Sequence, residues 1–213
     1  MTHFFMDNLH LLVTIAVIQA LGVVSPGPDF VMCVRNSLMY SRRTGVFTAI
    51  GFAVGVAVHV TYLIAGIAVI IARSPALFSM IKYFGAAYLL YMGIRSIASR
   101  SFGVDAPPPG RSRKDISPLN AVWIGFLTNI SNPKATLFFL GLFTIVARPG
   151  TPRFVLIIAG MIMVIETVLW FSFVAFFLNQ RHVRSLADRF QGYFNLIFGV
   201  LLILISLRIA FGS

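Results

Sequence analysis

Two proline-centred motifs, each carrying one formal charge, interrupt long apolar stretches of this chain: Ser25–Phe30 (SPGPDF) and Asn129–Lys134 (NISNPK). Proline removes an amide donor and clashes with the preceding turn, so neither stretch forms a continuous helix. At membrane depth, broken backbone is tolerated only where it is buried in protein or lines a cavity. A charge in hydrocarbon is costly and is normally paired or functional. A chain with both features, once in each half, is typical of a transporter.

The composition is that of a membrane protein. Hydrophobic residues make up 58% of the 213 residues and charged residues 11%, whereas soluble domains carry roughly 25% charged residues. At ~20 residues per span, the apolar sequence suffices for six transmembrane helices with short connections. We therefore expect an all-α, polytopic membrane protein. The six predicted spans are Leu9–Val34, Thr44–Ile71, Pro75–Ala98, Leu119–Val146, Arg153–Leu178 and Tyr193–Phe211.

The net charge of +11 does not indicate a nucleic-acid-binding protein, because most basic residues lie in short loops between the spans. Eleven fall on one side of the predicted bundle and four on the other. The positive-inside rule places the three Arg-rich loops in the cytoplasm and both termini outside. Because Met1–Asp7 has no Lys or Arg and no cleavage site follows, the first apolar run should remain as a span. The eleven are Arg35, Arg42, Arg43, Arg95, Arg100, Arg111, Arg113, Lys114, Arg181, Arg184 and Arg189.

Residues 100–118 form a predicted cytoplasmic linker within a single transmembrane domain. The segment contains three consecutive prolines followed by a basic run, a composition that cannot bury a core. It separates residues 1–99 from residues 119–213, with three spans in each part. Because three is odd, the second part is inserted upside down relative to the first, as in the inverted repeats of many transporters. The first helix of each repeat carries one of the two charged breaks.

Asp29 and Lys134 are the charges that the breaks carry. Asp29 follows Pro28 at the start of a new helix, where a carboxylate can accept backbone N–H bonds and offset the positive helix end. This capping role is compatible with ligand binding. Lys134 also follows a proline, but a cation is unfavourable at that end of a helix. Lys134 therefore needs a counter-charge, a substrate anion or the C-terminal ends of facing helices.

Inverted symmetry would bring the two breaks together near the middle of the protein. Asp29 would then face the ammonium group of a zwitterion, and Lys134 with freed backbone N–H groups would face its carboxylate. An amino acid satisfies both charges. The alternative is that Asp29 and Lys134 pair with each other and only hold the fold. The other predicted substrate-binding residues belong to the same motifs: Pro26, Gly27, Pro28, Asn129, Asn132 and Pro133.

Glu166, His59 and Asp29 are candidates for coupling transport to protons. Glu166 lies inside the fifth span, where a carboxylate can carry a proton; the alternative is a neutral, hydrogen-bonded side chain. His59 can titrate near neutral pH, although a lone histidine packed between helices is the favoured interpretation. Gly51 and Gly55 form a small-residue pair that is typical of close helix packing in lipid, with contact inside the molecule favoured over a dimer face.

At these motifs the sequence resembles the lysine exporter / homoserine-threonine resistance (LysE/RhtB) family. The resemblance covers essentially the whole chain. It implies a multi-pass protein of the bacterial cytoplasmic (inner) membrane that exports amino acids in exchange for protons, and the outward direction rests on the resemblance alone. It does not identify the substrate. The residues that carry the resemblance are Ser25–Asp29 and Asn132–Lys134, with Gly51, Gly55, His59, Lys82, Gly85–Leu89 and Gly93.

Other functions fit the residues less well. The sequence has no Gly-x4-Gly-Lys-Ser/Thr run, so we expect neither nucleotide hydrolysis nor a cofactor. Divalent metal-ion efflux through Asp29, Glu166 and His59, as in related groups, is the main alternative, but one cysteine and one deep histidine make a poor cage for soft metals. Cys33 is alone, which argues against redox chemistry, and a lone membrane-embedded aspartate argues against a protease. We expect no enzyme activity. The sequence does not decide whether the protein forms a homo-oligomer.

Overall fold

The computed structural model of the protein describes residues 2–25, 27–98, 114–146, 151–177 and 181–211. Within them the regular structure is helical throughout, in agreement with the predicted all-α class. Pro26 and most of the predicted linker lie outside the described residues. The helices of the described part are α1 (Thr2–Val24), α2 (Pro28–Met39), α3 (Arg42–Arg73), α4 (Pro75–Ala98), α5 (Pro118–Ile130), α6 (Pro133–Val146), α7 (Arg153–Phe177) and α8 (Arg181–Phe211).

Both predicted breaks separate two helices. At the first break, α1 and α2 are bent by 57° relative to each other. Gly27 is the N-cap of α2 and has an extended backbone, with φ −175° and ψ −173°. At the second break, only Ser131 and Asn132 lie between α5 and α6. Pro28 and Pro133 each occupy the first position of the new helix, where the missing N–H leaves no helical hydrogen bond unmade.

Two described segments are long and apolar enough to cross a membrane, Arg42–Tyr62 in α3 and Arg153–Phe177 in α7. The bent pair α1–α2 is a third if it is taken as one span. With 13 and 14 residues, α5 and α6 are each shorter than the ~20 residues of a span, because the second break divides that stretch. The count of six spans therefore stays a prediction. The last helix begins at Arg181 rather than at the predicted Tyr193.

Two helix pairs pack antiparallel, α3 with α7 and α4 with α8. In each pair, the residue numbers of successive contacts rise along one helix and fall along the other. The α4–α8 pair is joined by two side-chain hydrogen bonds to main-chain oxygens, each 2.9 Å long. The contacts are Phe52–Phe171 and Val60–Gly160 in the first pair, and Ala86–Ser206 and Ser96–Asn195 in the second.

Two further packings are parallel. Helix α5 runs beside α3 in the same direction, and α1 followed by α2 runs along α7 in the same direction. Because α3 and α7 are themselves antiparallel, the chain that passes from α1 to α2 advances through the bundle in the direction opposite to α5. The contacts are Thr48–Gly125 and Gly55–Asn129 for the first packing, and Gln19–Thr167 and Cys33–Phe171 for the second.

Glycines allow α3 and α5 to approach each other closely. A Cβ atom on Gly51 would overlap the main-chain oxygen of Val122, and a Cβ on Gly125 would overlap that of Thr48. One turn further along α3, a Cβ on Gly55 would lie 2.5 Å from the side-chain oxygen of Asn129. The predicted Gly51/Gly55 packing pair is therefore confirmed as a contact inside the molecule. It places α3 directly against the second break.

Candidate functional site

A cavity of about 50 Å³ lies where the two breaks meet. At roughly 10–15 Å³ per water, it has room for several water molecules. Its walls come from α1, α2, α3, α5, α6 and α7, and most of the lining is glycine or apolar. The polar residues of the lining are Gln19, Ser25, Asp29, Asn129, Asn132, Lys134 and Thr167.

The carboxylate of Asp29 connects the first break to the second. Asn129 donates its side-chain amide to one carboxylate oxygen at 2.7 Å, and Asn132 donates to the other at 3.1 Å. Asp29 lies in the first turn of α2, where the helix dipole favours an anion. The capping prediction is corrected in one respect: among the described residues, these amides rather than the first N–H groups of α2 bind the carboxylate. The cap position belongs to Gly27, so the Asp29 side chain is free to reach the other motif.

Asn132 uses both ends of its side-chain amide. Its oxygen accepts a hydrogen bond of 3.0 Å from the main-chain N–H of Lys134, which caps the start of α6. Its nitrogen donates to Asp29. The side chain is buried, so both ends of the amide need these partners. One residue therefore fixes the start of α6 relative to the start of α2.

The ammonium group of Lys134 reaches back to the end of α1. Its nitrogen donates to the main-chain oxygen of Ser25 at 2.7 Å and to the Ser25 hydroxyl at 2.9 Å. The Ser25 N–H still bonds to the oxygen of Leu21 at 3.2 Å, so Ser25 continues the last turn of α1. Carbonyl groups at a helix C-terminus carry partial negative charge and favour a cation. Of the partners predicted for Lys134, the structure supplies the end of a facing helix.

Gly27 leaves space for the Lys134 side chain. A Cβ atom on Gly27 would lie 3.0 Å from Cδ and 3.1 Å from the ammonium nitrogen of Lys134. These distances are shorter than ordinary van der Waals contact, so a larger residue at position 27 would displace the ammonium group. Pro28 and Pro133 contribute differently, because each begins a helix and neither lines the cavity.

His59 lies beside the cavity without lining it. Its ring is 1% exposed, with Nδ1 2.6 Å from the Tyr62 hydroxyl and Nε2 3.5 Å from the main-chain oxygen of Asn129. The ring also stacks on Phe139, with the two centroids 5.5 Å apart. These are the contacts of a histidine packed between helices. They also link Tyr62 to the residue that holds Asp29.

Glu166 precedes the cavity-lining Thr167 on α7 and does not itself line the cavity. Its side chain is half-buried, and Oε2 is buried with no hydrogen-bond partner among the described residues. Of the three proton-coupling candidates, only Asp29 lines the cavity. Within the described part of the chain, no three His, Cys, Asp or Glu side chains are grouped closely enough to hold a metal ion.

Gln19 and Thr167 are polar cavity residues that the two motifs did not predict. The available signal was an amide within the apolar stretch Leu11–Val24 of α1, and a hydroxyl next to Glu166 in α7. Which of these side chains faces the cavity depends on the rotation of α1 and α7 about their axes. The role of the Ser25 main-chain oxygen could not be predicted from side-chain patterns, because every residue carries that group.

A sequence model of the LysE type translocator family matches residues 20–213. The chain is 31% identical to the threonine efflux protein of Escherichia coli K12, over 89% of this chain and 94% of the relative. It is 31% identical to the uncharacterized membrane protein YrhP of Bacillus subtilis, over 92% and 96% of the two chains. The leucine efflux protein of Klebsiella pneumoniae is 28% identical over 71% of each chain. No solved structure matches. The chain is therefore a membrane protein that belongs to the LysE type translocator family.

Proposed function

We propose that this protein is a secondary active exporter that moves amino acids, or similar small zwitterions, out of the bacterial cell in exchange for protons. The observation that carries the proposal is the cross-connection of the two breaks around one cavity. Asp29 is bound by side chains of the second break, and Lys134 is bound by Ser25 of the first. The relatives named for threonine efflux and leucine efflux support an amino-acid substrate and outward transport.

A zwitterion would bind by exchanging partners at these two charges. Its ammonium group would bind the carboxylate of Asp29, and its carboxylate would bind the ammonium group of Lys134. The amides of Asn129 and Asn132 can donate to the substrate carboxylate as well as to Asp29, and the Ser25 oxygen can accept from the substrate ammonium group. The two charged groups, Asp29 and Lys134, then keep a hydrogen-bond partner in both states.

Substrate binding would change how the two breaks are connected. In the described part of the structure, side-chain hydrogen bonds at Asp29 and at Lys134 join the breaks directly. A bound zwitterion would replace part of this direct connection by contacts through the substrate. The bound and empty proteins thus differ in the interaction between the halves, which is the requirement for a ligand to shift a conformational equilibrium.

The proposed architecture is six spans in two inverted three-helix repeats, residues 1–99 and 119–213, each with a broken first helix. The directions of the helices support it. An inverted repeat requires equivalent helices to run in opposite directions, and this holds for α3 with α7 and for α4 with α8. It also holds for the first broken pair as a whole, since the chain from α1 to α2 advances through the bundle in the direction opposite to α5. In this arrangement both termini lie on the outer side of the cytoplasmic membrane, opposite the Arg-rich loops.

The exchanged proton requires a carboxylate that changes protonation during the cycle. Asp29 is the candidate inside the cavity, because a proton can neutralise it when no substrate ammonium group is bound. Glu166 is the candidate beside the cavity, since its Oε2 has no hydrogen-bond partner among the described residues. His59 is a third candidate through its contact with the Asn129 main chain.

Counterflow in proteoliposomes tests the proposal. Purified protein is reconstituted with a high internal concentration of one amino acid, and entry of the same labelled amino acid is followed for a panel of side chains at two pH values. We expect counterflow of at least one small amino acid, its loss in Lys134→Ala, and a rate that depends on pH. Absence of counterflow for the whole panel, with the protein folded in the vesicles, would overturn the proposed function.

A further inference from the structure

Gln19 is a fully buried amide in the cavity wall and belongs to neither of the two break motifs. It lies on α1 with 0% exposure. Its nitrogen is 3.5 Å from the main-chain oxygen of Met163 and 3.4 Å from the hydroxyl oxygen of Thr167. Its oxygen is buried and has no hydrogen-bond partner in the described part of the chain. Burying an acceptor without a donor is unfavourable, so this oxygen needs an explanation.

The groups that Gln19 contacts on α7 determine which atom of its side-chain amide has no partner there. The Met163 main-chain oxygen can only accept hydrogen bonds. The Thr167 hydroxyl already donates to that oxygen, at 2.8 Å, so towards Gln19 it acts as an acceptor. Both groups therefore require the nitrogen of Gln19 to face α7. Oε1 is the acceptor that stays available, on a residue that lines the cavity.

The position of Gln19 relative to the charged groups suits the side chain of a small substrate. Ser25, which binds Lys134, follows Gln19 by six residues, which is about 9 Å along an α-helix axis. This separation of the two backbone positions is comparable to the length of a small amino acid with a hydrogen bond of ~2.9 Å at each end. Phe138, Phe139 and Phe171 make the rest of this region apolar. Asp29 is the one carboxylate of the described lining, so a cationic side chain would have no second anion.

We propose that Gln19 is a specificity-determining residue whose Oε1 accepts a hydrogen bond from an aliphatic hydroxyl on the substrate side chain. The inference rests on the proposed function, since it assumes that the cavity binds an amino acid through Asp29 and Lys134. Thr167 is a positioning residue that turns the Gln19 nitrogen towards α7. The cavity therefore favours a short hydroxylated side chain over an alkyl side chain of the same shape.

Threonine and valine test this directly, because they differ by a hydroxyl in place of a methyl group. Counterflow of each is measured in proteoliposomes at concentrations far below saturation. We expect the wild-type protein to prefer threonine by about tenfold, the effect of one buried hydrogen bond. Gln19→Leu should lower threonine counterflow by about the same factor, so that the threonine-to-valine ratio falls to about one. Thr167→Val should reduce the ratio to a smaller extent.

Thr14→Val is the matched control, because it removes a hydroxyl from the same helix whose hydrogen bond, among the described residues, goes to the main-chain oxygen of His10. It should leave the threonine-to-valine ratio as in the wild type. Gln19→Met provides a second, flexible replacement in case Gln19→Leu does not fold. A ratio that stays at the wild-type value in either folded variant would overturn the inference, as would a wild-type protein that carries valine as fast as threonine. Both outcomes leave amino-acid transport intact, whereas absence of all counterflow overturns the proposed function.

Discussion

The ammonium nitrogen of Lys134 lies 2.7 Å from the main-chain oxygen of Ser25, the residue that ends the helical turn of α1. Lys134 itself is the second residue of α6, where a cation is unfavourable for its own helix. The long side chain carries the charge away from that end and places it at the C-terminal end of a different helix, where it is favourable. The side chain of Asp29 reaches in the opposite direction, from the first break to the amides of Asn129 and Asn132 in the second. Each break thus supplies the partners for the charge of the other.

Removing the ammonium group should abolish transport. In Lys134→Ala the end of α1 loses its cation and the substrate carboxylate loses its counter-ion. Hydrogen bonds to charged groups contribute about 1.5–3 kcal/mol each, so we expect counterflow to fall at least ~10-fold with the protein still inserted. Lys82→Ala is the matched control, since Lys82 lies on α4 outside the cavity, beside the Tyr83 ring. Counterflow at the wild-type rate in Lys134→Ala would show that this charge does not bind the substrate.

Neutralising the carboxylate while keeping its shape should have a similar effect. In Asp29→Asn the amides of Asn129 and Asn132 face a side chain that is no longer an anion, and the substrate ammonium group has no counter-charge. We expect loss of counterflow, again at least ~10-fold, with a normal elution profile in detergent. Asp115→Asn removes one carboxylate outside the cavity and should leave the rate per folded protein unchanged. An active Asp29→Asn protein would contradict the zwitterion site at this residue.

Glu166→Gln separates proton coupling from substrate binding. Because Glu166 does not line the cavity, we expect substrate counterflow to persist while the dependence of net export on the pH gradient is lost. Export driven by an imposed gradient is compared with counterflow in the same vesicles, and His59→Gln is measured beside it. A gradient dependence equal to that of the wild type would remove Glu166 from the proton pathway.

Asp115 should make a pH-dependent contribution to stability at the predicted cytoplasmic ends of the helices. Hydrogen bonds from the hydroxyls of Thr44 (2.6 Å) and Ser41 (2.7 Å) hold the pKa of the Asp115 carboxyl below its ordinary value of 3.8. A lowered folded-state pKa means that this contribution is present above the ordinary value and is lost as the pH falls through the folded-state pKa. We expect Asp115→Asn to lower Tm at pH 7 by about 2 °C.

The same comparison at acid pH gives the check on Asp115. Once the wild-type carboxyl is protonated, the wild type and Asp115→Asn should unfold at the same temperature, so the difference in Tm should shrink as the pH falls below 3.8 and vanish below the folded-state pKa. A difference that is constant from neutral to acid pH would mean that the carboxylate charge is not what holds Ser41 and Thr44.

Gly51→Ala should destabilise the bundle, since the new Cβ would overlap the main-chain oxygen of Val122, and a backbone atom cannot move without moving α5. Overpacking of this kind costs roughly 1–3 kcal/mol. Gly192→Ala is the matched control, because a Cβ there meets nothing within 4 Å. Thermal unfolding in detergent measures both variants, and equal Tm values would contradict the close α3–α5 contact.

Local sequence determined where the helices begin and end at the site. Pro28 and Pro133 lack an amide hydrogen and fit only the first turn of a helix, so both breaks could be predicted to within a few residues. The membrane character and the intramolecular packing of Gly51 and Gly55 could also be predicted, because they depend on composition and on side-chain size. These properties need no knowledge of what lies across the cavity.

Tertiary structure alone decided which groups meet. Asp29 binds amides about a hundred residues away rather than the nearby amides of its own helix, and Lys134 binds a main-chain oxygen that no residue pattern marks. Gln19 lines the cavity whereas Glu166 does not. The physical reason is that a helix presents each side chain according to its rotation about its axis and the crossing of its neighbours. Those quantities are set by packing between distant segments, as at Gly51 and Gly125, whereas a break in a helix is set by the proline at that position.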